Sequence, residues 1–280
     1  MESMVDGIPV HYVQQGSGTP VLGLHGGGVD HHEMAGSLEP LFADRPGYQR
    51  IYPDLPGMGR TPAPETVNSS DDILQILLGL IDTVIGGQPF LVVGHSYGGY
   101  LARAIANRRP SQVAGLALIC SLVGDRVDKE EVPAHVVLHA SGDLDGILDP
   151  AMEAEFRSYL VVQTPETLRR FQEQVIPGAV LVDQAALERI FQRWELRAAP
   201  EQAPAYANPT LILAGRQDAT VGYAGFWRLI EHYPRATFAV LDRAGHALPH
   251  EQVGLLTALM GEWLDRVREQ SPTAAPTSPL

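Results

Sequence analysis

The chain reads as an α/β protein: a mostly parallel eight-stranded sheet with helices on both faces, plus an inserted helical segment. Three observations predict this. Unbroken apolar runs of strand length alternate with amphipathic helical patterns up to about residue 123, and again from about 209. Strand-helix alternation at this spacing implies right-handed crossovers, and so parallel neighbours. Between residues 124 and 208 that rhythm stops, leaving helical patterns with no strong strand run. A chain of 280 residues suffices for one large core carrying an insertion. The expected organisation is a core over 1–123 and 209–269, a helical cap or lid over 124–208, and a disordered tail over 270–280, rich in Ser, Thr, Pro and Ala.

The elements follow in order. A short strand, the Asp6-Gly7 turn signal and a strand at 10–14 predict an N-terminal hairpin. A Gly/Ser loop at 16–20 leads to a strand at 21–24, a helix at 33–42 and a strand at 49–52. Ser69 or Ser70 caps the next helix, and Asp71 and Asp72 suit its first-turn dipole. Ile73, Ile76, Leu77, Leu80, Ile81 and Val84 then recur at helical spacing until Gly86-Gly87. A strand at 90–93, a helix at 100–109 stopped by Pro110, and a strand at 113–120 come next. In the insertion, Pro165 behind Thr164 opens a helix that stops at Pro177. Asp183 caps another, with Leu187, Ile190, Phe191 and Trp194 on one face. A strand at 210–214, a helix at 223–232, a strand at 237–241 and a closing helix at 251–268 complete the chain.

Composition narrows the function classes. A formal net charge of −13 opposes a nucleic-acid partner, since phosphate backbones are bound by basic surfaces, and disfavours anionic membranes. No run reaches the ~20 apolar residues of a spanning helix. Met1-Glu2-Ser3-Met4-Val5 lacks the basic start and apolar stretch of a signal peptide. The single cysteine, Cys120, lies in an apolar run, reads as a buried small hydrophobe, and fits a reducing compartment. A cytoplasmic monomer or homodimer acting on a small-molecule substrate is expected.

Chemistry concentrates around Gly94-His95-Ser96-Tyr97-Gly98, which follows an apolar run and opens a helical one. A serine between glycines there sits on a tight strand-to-helix turn that pushes its hydroxyl out at the top of the sheet. A serine hydroxyl needs a general base, and the base needs an orienting carboxylate. Asp218 follows the strand at 210–214, and His246 follows the strand at 237–241. Groups on such loops gather at the C-terminal edge of an open α/β sheet. Developing negative charge on a substrate carbonyl needs backbone donors. The Tyr97 amide and one from Gly26-Gly27-Gly28 are candidates, with Gly27 preferred and its neighbours left open.

Other polar residues have plainer readings. His25 is expected to bond backbone around the glycine loop, His95 to pack, and Asp54 to brace its own Pro-Gly turn. Asp30-His31-His32 invites a metal, but neighbours in sequence rarely converge on one ion, so no metal is assigned and no cofactor is expected. His31 or His32 borders the substrate pocket in the alternative. Phe156, Tyr159, Phe171, Phe191 and Trp194 read first as lid-to-core packing and second as the lining of an apolar pocket.

The histidine-glycine pair after the strand at 21–24, Asp54-Leu55-Pro56-Gly57-Met58-Gly59-Arg60-Thr61, Gly94-His95-Ser96-Tyr97-Gly98-Gly99, Gly215-Arg216-Gln217-Asp218 and Ala244-Gly245-His246 together resemble the α/β-hydrolase family. The resemblance covers the core from about residue 5 to 268 and is nearest the lidded, esterase-like members. It implies Ser96 as nucleophile, Asp218 as acid and His246 as base. In some members the acid follows the preceding strand, which makes Asp125 the rival. Prolyl iminopeptidases carry a proline where this chain has Gly28, and haloalkane dehalogenases and epoxide hydrolases carry an aspartate in place of Ser96. The expected activity is serine hydrolysis of small to medium carboxylic esters, thioesters or lactones. The same triad in carbon–carbon bond hydrolysis, peracid or lyase chemistry is the alternative, ahead of a non-catalytic ligand-binding scaffold.

Overall fold

Asp6 and Gly7 take positive φ angles of 48° and 81°, and fold strand β1 (Glu2–Val5) back onto β2 (Ile8–Gly16). The structure, a computed structural model, describes residues 1–123 and 132–270. The sheet continues with β3 (Thr19–Leu24), β4 (Tyr48–Pro53), β5 (Phe90–His95), β6 (Val113–Ile119), β9 (Thr210–Gly215) and β10 (Ala236–Leu241). The order across its eight strands is β1-β2-β4-β3-β5-β6-β9-β10. The β1–β2 and β2–β4 pairs are antiparallel, and every pair from β4 onward is parallel. Strand β5 therefore runs through the middle, where Leu91, Val92 and Val93 are fully buried.

Helices cover both faces. On one, α1 (His31–Phe42) and α10 (Val253–Gln270) lay Met34, Leu38, Met260 and Trp263 against Val21, Leu91 and Val93. On the other, α2 (Ser70–Leu80) and α3 (Ser96–Arg108) pack Ile73, Leu77, Leu101 and Ile105 on Leu22, Val92 and Leu116, joined by Phe226 of the short α8 (Gly225–Leu229). Ser69 caps α2 by accepting from the Asp72 amide, and the helix widens into a π turn at Ile81–Ile85 before Gly86 ends it at φ 71°.

Residues 132–208 carry α4 (Pro150–Tyr159), α5 (Pro165–Gln174), α6 (Ile176–Ala179) and α7 (Gln184–Phe191). Thr164 and Asp183 cap α5 and α7 as the sequence predicts. Phe156, Leu160, Leu168, Phe171 and Val175 form a separate apolar cluster with Val29 and Ala247 of the core. Behind it Glu251, at the end of α9 (Leu248–Glu251), accepts from the Val161 and Val162 amides at 2.6 and 3.0 Å and from Gly245 at 2.7 Å. One buried carboxylate thus ties this segment to the loop that carries His246.

Several elements differ from expectation. The segment holds a two-residue parallel pair, β7 (His139–Ala140) with β8 (Val162–Gln163), too short to leave a periodic signal. Helix α5 stops at Gln174, and Pro177 lies inside α6 instead of ending α5. Trp194 lies beyond the end of α7, with its ring against Tyr100. The helix expected over 223–232 is α8 followed by a 3-10 turn, Ile230–His232, and the closing helix is divided into α9 and α10 at Gln252. Helix α3 begins at Ser96, four residues before the apolar pattern, because Gly98 and Gly99 carry no periodicity yet lie inside it. No helix among the described residues is long and apolar enough to cross a membrane. Asp125 and nearly all of the expected tail lie outside the described residues.

Candidate active site

Ser96 is the first residue of α3 and has φ 51°, a left-handed conformation that is costly for a side chain with a β-carbon. The turn exists because its flanks are bare. A β-carbon at Gly94 would run into the Gly98 carbonyl, and one at Gly98 into the carbonyl oxygens of Leu24 and His25. Helix α3 can therefore sit directly on the end of β3. The Ser96 side chain stays partly exposed while His95, Tyr97 and Gly98 around it are buried.

Three loops meet there. Ser96 Oγ lies 2.8 Å from His246 Nε2, and His246 Nδ1 lies 2.9 Å from Asp218 Oδ2. Asp218 follows β9 and His246 follows β10, and the two loops touch because Gly215 has no β-carbon to strike the Gly245 carbonyl. The other Asp218 oxygen accepts from the Thr220 and Val221 amides, each at 2.9 Å. Burial opposes the Asp218 carboxylate, yet His246 and these two amides outweigh it and hold its pKa below the ordinary value. An ionised Asp218 keeps the His246 proton on Nδ1, which leaves Nε2 to accept from the serine hydroxyl.

The glycine loop after β3 lies beside Ser96. The Gly26 amide donates to Glu33 Oε2 at 2.7 Å, and the Gly28 amide to Met58 Sδ at 3.3 Å. Among the described residues the Gly27 amide has no acceptor. The Tyr97 amide is in the first turn of α3, where helix N–H groups lack partners. The Tyr97 ring turns away, its hydroxyl 2.7 Å from Ser70 Oγ. Two aromatics from the helical segment approach the cluster. Phe191 comes within 2.9 Å of where a Gly27 β-carbon would stand and meets the Tyr97 ring edge-on at 5.1 Å. The Tyr159 ring lies 6.1 Å from that of His246. Phe156 and Phe171 pack only in the apolar cluster described above. A groove of about 960 Å³ around Tyr48, Arg45 and Asp265 lies at the opposite, N-terminal edge of the strands and contains none of these groups.

His25 bonds backbone as expected: Nε2 accepts from the Leu55 amide at 2.9 Å and Nδ1 faces the Gly26 carbonyl at 2.7 Å. Asp54 does more than brace its own turn. Besides the Arg60 amide it accepts from the His31 amide, His31 Nδ1 and His11 Nδ1 at 2.7–3.0 Å, and stays ionised despite burial. Asp30, His31 and His32 do approach one another within 4.8 Å, closer than their adjacency in sequence suggests. Their Nδ1 atoms, however, are committed to Asp54 and Asp30, so neither histidine turns that atom to the Ser96 cluster. His95 is not merely packed, since both its ring nitrogens have polar partners: Glu33 Oε1 and the His246 carbonyl, each at 3.0 Å. Sequence reasoning missed Glu33 and Glu251. Glu33, in the first turn of α1, reads as a dipole-complementing acid, and Glu251 lies at a helix break that has no motif of its own.

Comparison with known proteins agrees with this fold. A family model described as alpha/beta hydrolase fold matches residues 19–252. A 2-hydroxy-6-oxononadienedioate/2-hydroxy-6-oxononatrienedioate hydrolase of Burkholderia vietnamiensis is 28% identical over 92% of this chain and 91% of its own. A pimeloyl-[acyl-carrier protein] methyl ester esterase of Shewanella woodyi is 28% identical over 92% and 98%. The crystal structure of an alpha/beta superfamily hydrolase from Oenococcus oeni superposes with a TM-score of 0.87 at 30% identity, over 96% of this chain and 99% of that one. With the fold, the motif order and the matched span in agreement, the chain belongs to the α/β-hydrolase fold family.

Proposed function

We propose that this chain is a serine hydrolase that cleaves small to medium carboxylic esters, thioesters or lactones through an acyl-enzyme on Ser96. The observation that carries the reading is the relay Ser96 Oγ–His246–Asp218, at 2.8 and 2.9 Å. His246 takes the Ser96 proton as Oγ attacks the substrate carbonyl, and Asp218 stabilises the imidazolium. The Tyr97 and Gly27 amides hold the oxyanion. Gly27 is preferred because the amides on either side of it already have acceptors. The tetrahedral adduct collapses as the imidazolium protonates the departing alkoxide or thiolate. Water, deprotonated by the same His246, then releases the acid. Residues 124–208 act as the lid, with Phe191 and Tyr159 giving the site an apolar border suited to acyl chains. The net charge and the lone buried cysteine favour a small-molecule substrate in the cytoplasm, handled by a monomer or homodimer.

The names of the relatives favour one second reading, hydrolysis of a carbon–carbon bond beside a carbonyl, alongside methyl ester cleavage. Parallel assays on p-nitrophenyl acetate, p-nitrophenyl butyrate and a 2-hydroxy-6-oxodienoate separate the two. Ser96 is expected to react with a fluorophosphonate probe, and Ser96→Ala to lose both labelling and ester turnover. Turnover by Ser96→Ala at the parent rate would overturn the reading, and a parent chain inert to probe and panel would indicate a ligand-binding scaffold.

A further inference from the structure

The Gly26–Gly28 loop, the turn at Ser96 and the His246 loop must hold their places together, and one buried pair of side chains touches all three. Glu33 and His95 are each 1% exposed. Glu33, in the first turn of α1, accepts the Gly26 amide on Oε2 at 2.7 Å and faces His95 Nδ1 with Oε1 at 3.0 Å. His95 immediately precedes Ser96, and its Nε2 lies 3.0 Å from the carbonyl oxygen of His246. A carbonyl only accepts, so Nε2 carries a proton. A carboxylate also only accepts, so Nδ1 carries one too. We propose that Glu33 and His95 form a buried carboxylate–imidazolium pair that positions the Gly26–Gly28 loop and the His246 loop on either side of Ser96. The proposal rests on the serine-hydrolase reading for its effect on rate, but not for the charge state of the pair.

Electrostatics agree with the geometry. Burial works against both charges. Glu33 nevertheless stays at about 2, held by His95 and the Gly26 amide, while the Glu33 carboxylate raises His95 above its ordinary value. The other titratable groups around the pair do not replace either partner. The His246 ring is 5.0 Å from that of His95, with Asp218 beyond it. His250, pushed down to about 4 by burial, is neutral, with Nδ1 on Gln174 and Arg170 at its carbonyl. Tyr159 lies over His246 and His250, Glu251 is occupied by three amides, and Cys120 is a thiol kept neutral by burial. As positioning residues, neither Glu33 nor His95 touches substrate. Their contribution is to hold the Gly27 amide and the His246 ring where the transition state needs them.

The test has two arms. In the intact protein with 15N-labelled histidine, one side chain is expected to keep both ring protons at pH values where an ordinary imidazole has lost one. That signal is expected to vanish in His95→Gln. In the second arm, rates are divided by the amount of serine labelled with fluorophosphonate. Glu33→Gln and His95→Gln should each lower kcat about 10- to 100-fold with KM within about threefold, since the lost alignment matters in the transition state. The double variant should fall little further than either single one, because the pair acts as a unit. If every histidine loses its second ring proton at the pH of an ordinary imidazole, or both folded variants keep the parental kcat per labelled serine, the proposal is overturned. If the variants do not fold, the spectrum of the parent protein decides. A parent chain inert to the fluorophosphonate probe and to every substrate of the panel would defeat the hydrolase reading while leaving the spectrum to judge the pair.

Discussion

At the scale of single residues, Ser96 combines a left-handed φ of 51° with a hydrogen bond to His246 Nε2, so strain and reactivity share one position. The orienting role of Asp218 gives a direct prediction. Asp218→Asn preserves the shape but invites the wrong imidazole tautomer, and is expected to lower kcat about 10⁴-fold, measured on p-nitrophenyl butyrate. Glu33 gives a prediction about stability. Its carboxyl stands at about 2 in the folded chain against an ordinary 4.5, so protons bind the unfolded state more readily. The stability it contributes is present above about pH 4.5 and is lost as the pH falls towards about 2. The shift corresponds to roughly 3 kcal/mol. Urea denaturation at pH 5 and pH 3 should show a smaller loss for Glu33→Gln than for the parent, and equal losses would contradict this. Ser96, Asp218 and His246 were legible in the sequence because each sits on a loop announced by a strand and a glycine. Glu33 and the polar bonds of His95 were not. Their partners lie 7 residues away for Gly26, 62 between the two, and 151 for His246, and nothing local records such pairings.

At the scale of elements, the turn at Ser96 depends on close approach of backbones. Gly98→Ala would drive a methyl group into the Leu24 and His25 carbonyls, with no flexible side chain to yield. A loss of about 4 kcal/mol or insoluble protein is expected, read by Tm and soluble yield. The Glu251 clamp makes the second prediction at this scale. Glu251→Ala strands the Val161, Val162 and Gly245 amides, each costing about 1–3 kcal/mol if water cannot reach it. Denaturant midpoints should fall accordingly, with faster hydrogen exchange at Val161 and Val162, and unchanged exchange there would refute the clamp. All eight strands of the main sheet were legible: β3, β5, β6 and β9 as buried, nearly continuous apolar runs, and β1 from the Asp6-Gly7 turn that folds it back. Helix ends were less so. Pro177 suits the first turn of α6 as readily as it ends α5, so its local signal was ambiguous, and the closing helix breaks at Gln252.

At the scale of the whole molecule, the strand order places β5 in the middle of the sheet, so Ser96 emerges where loops from both halves reach it. Within residues 132–208, α4 and α5 rest on a small separate apolar cluster, whereas Ile190, Leu196 and Tyr206 join the main core, and β5 and β6 lie at its centre. Native-state hydrogen exchange should therefore find α4, with only Phe156 buried, opening before β5 and β6. Equal protection across both would mean that the helical segment and the core unfold as one unit.

The sequence alone determined the fold class, the strand-helix rhythm and the three residues of the relay. These are written in local patterns: apolar runs, caps, and glycines at turns. Only the tertiary structure decided which glycine amide lacks an acceptor, that Phe191 and Tyr159 border the site, and that Glu33 and His95 join its loops. Such facts depend on which distant backbone groups meet across the C-terminal edge of the sheet. Packing sets those meetings, and no stretch of neighbouring residues encodes them.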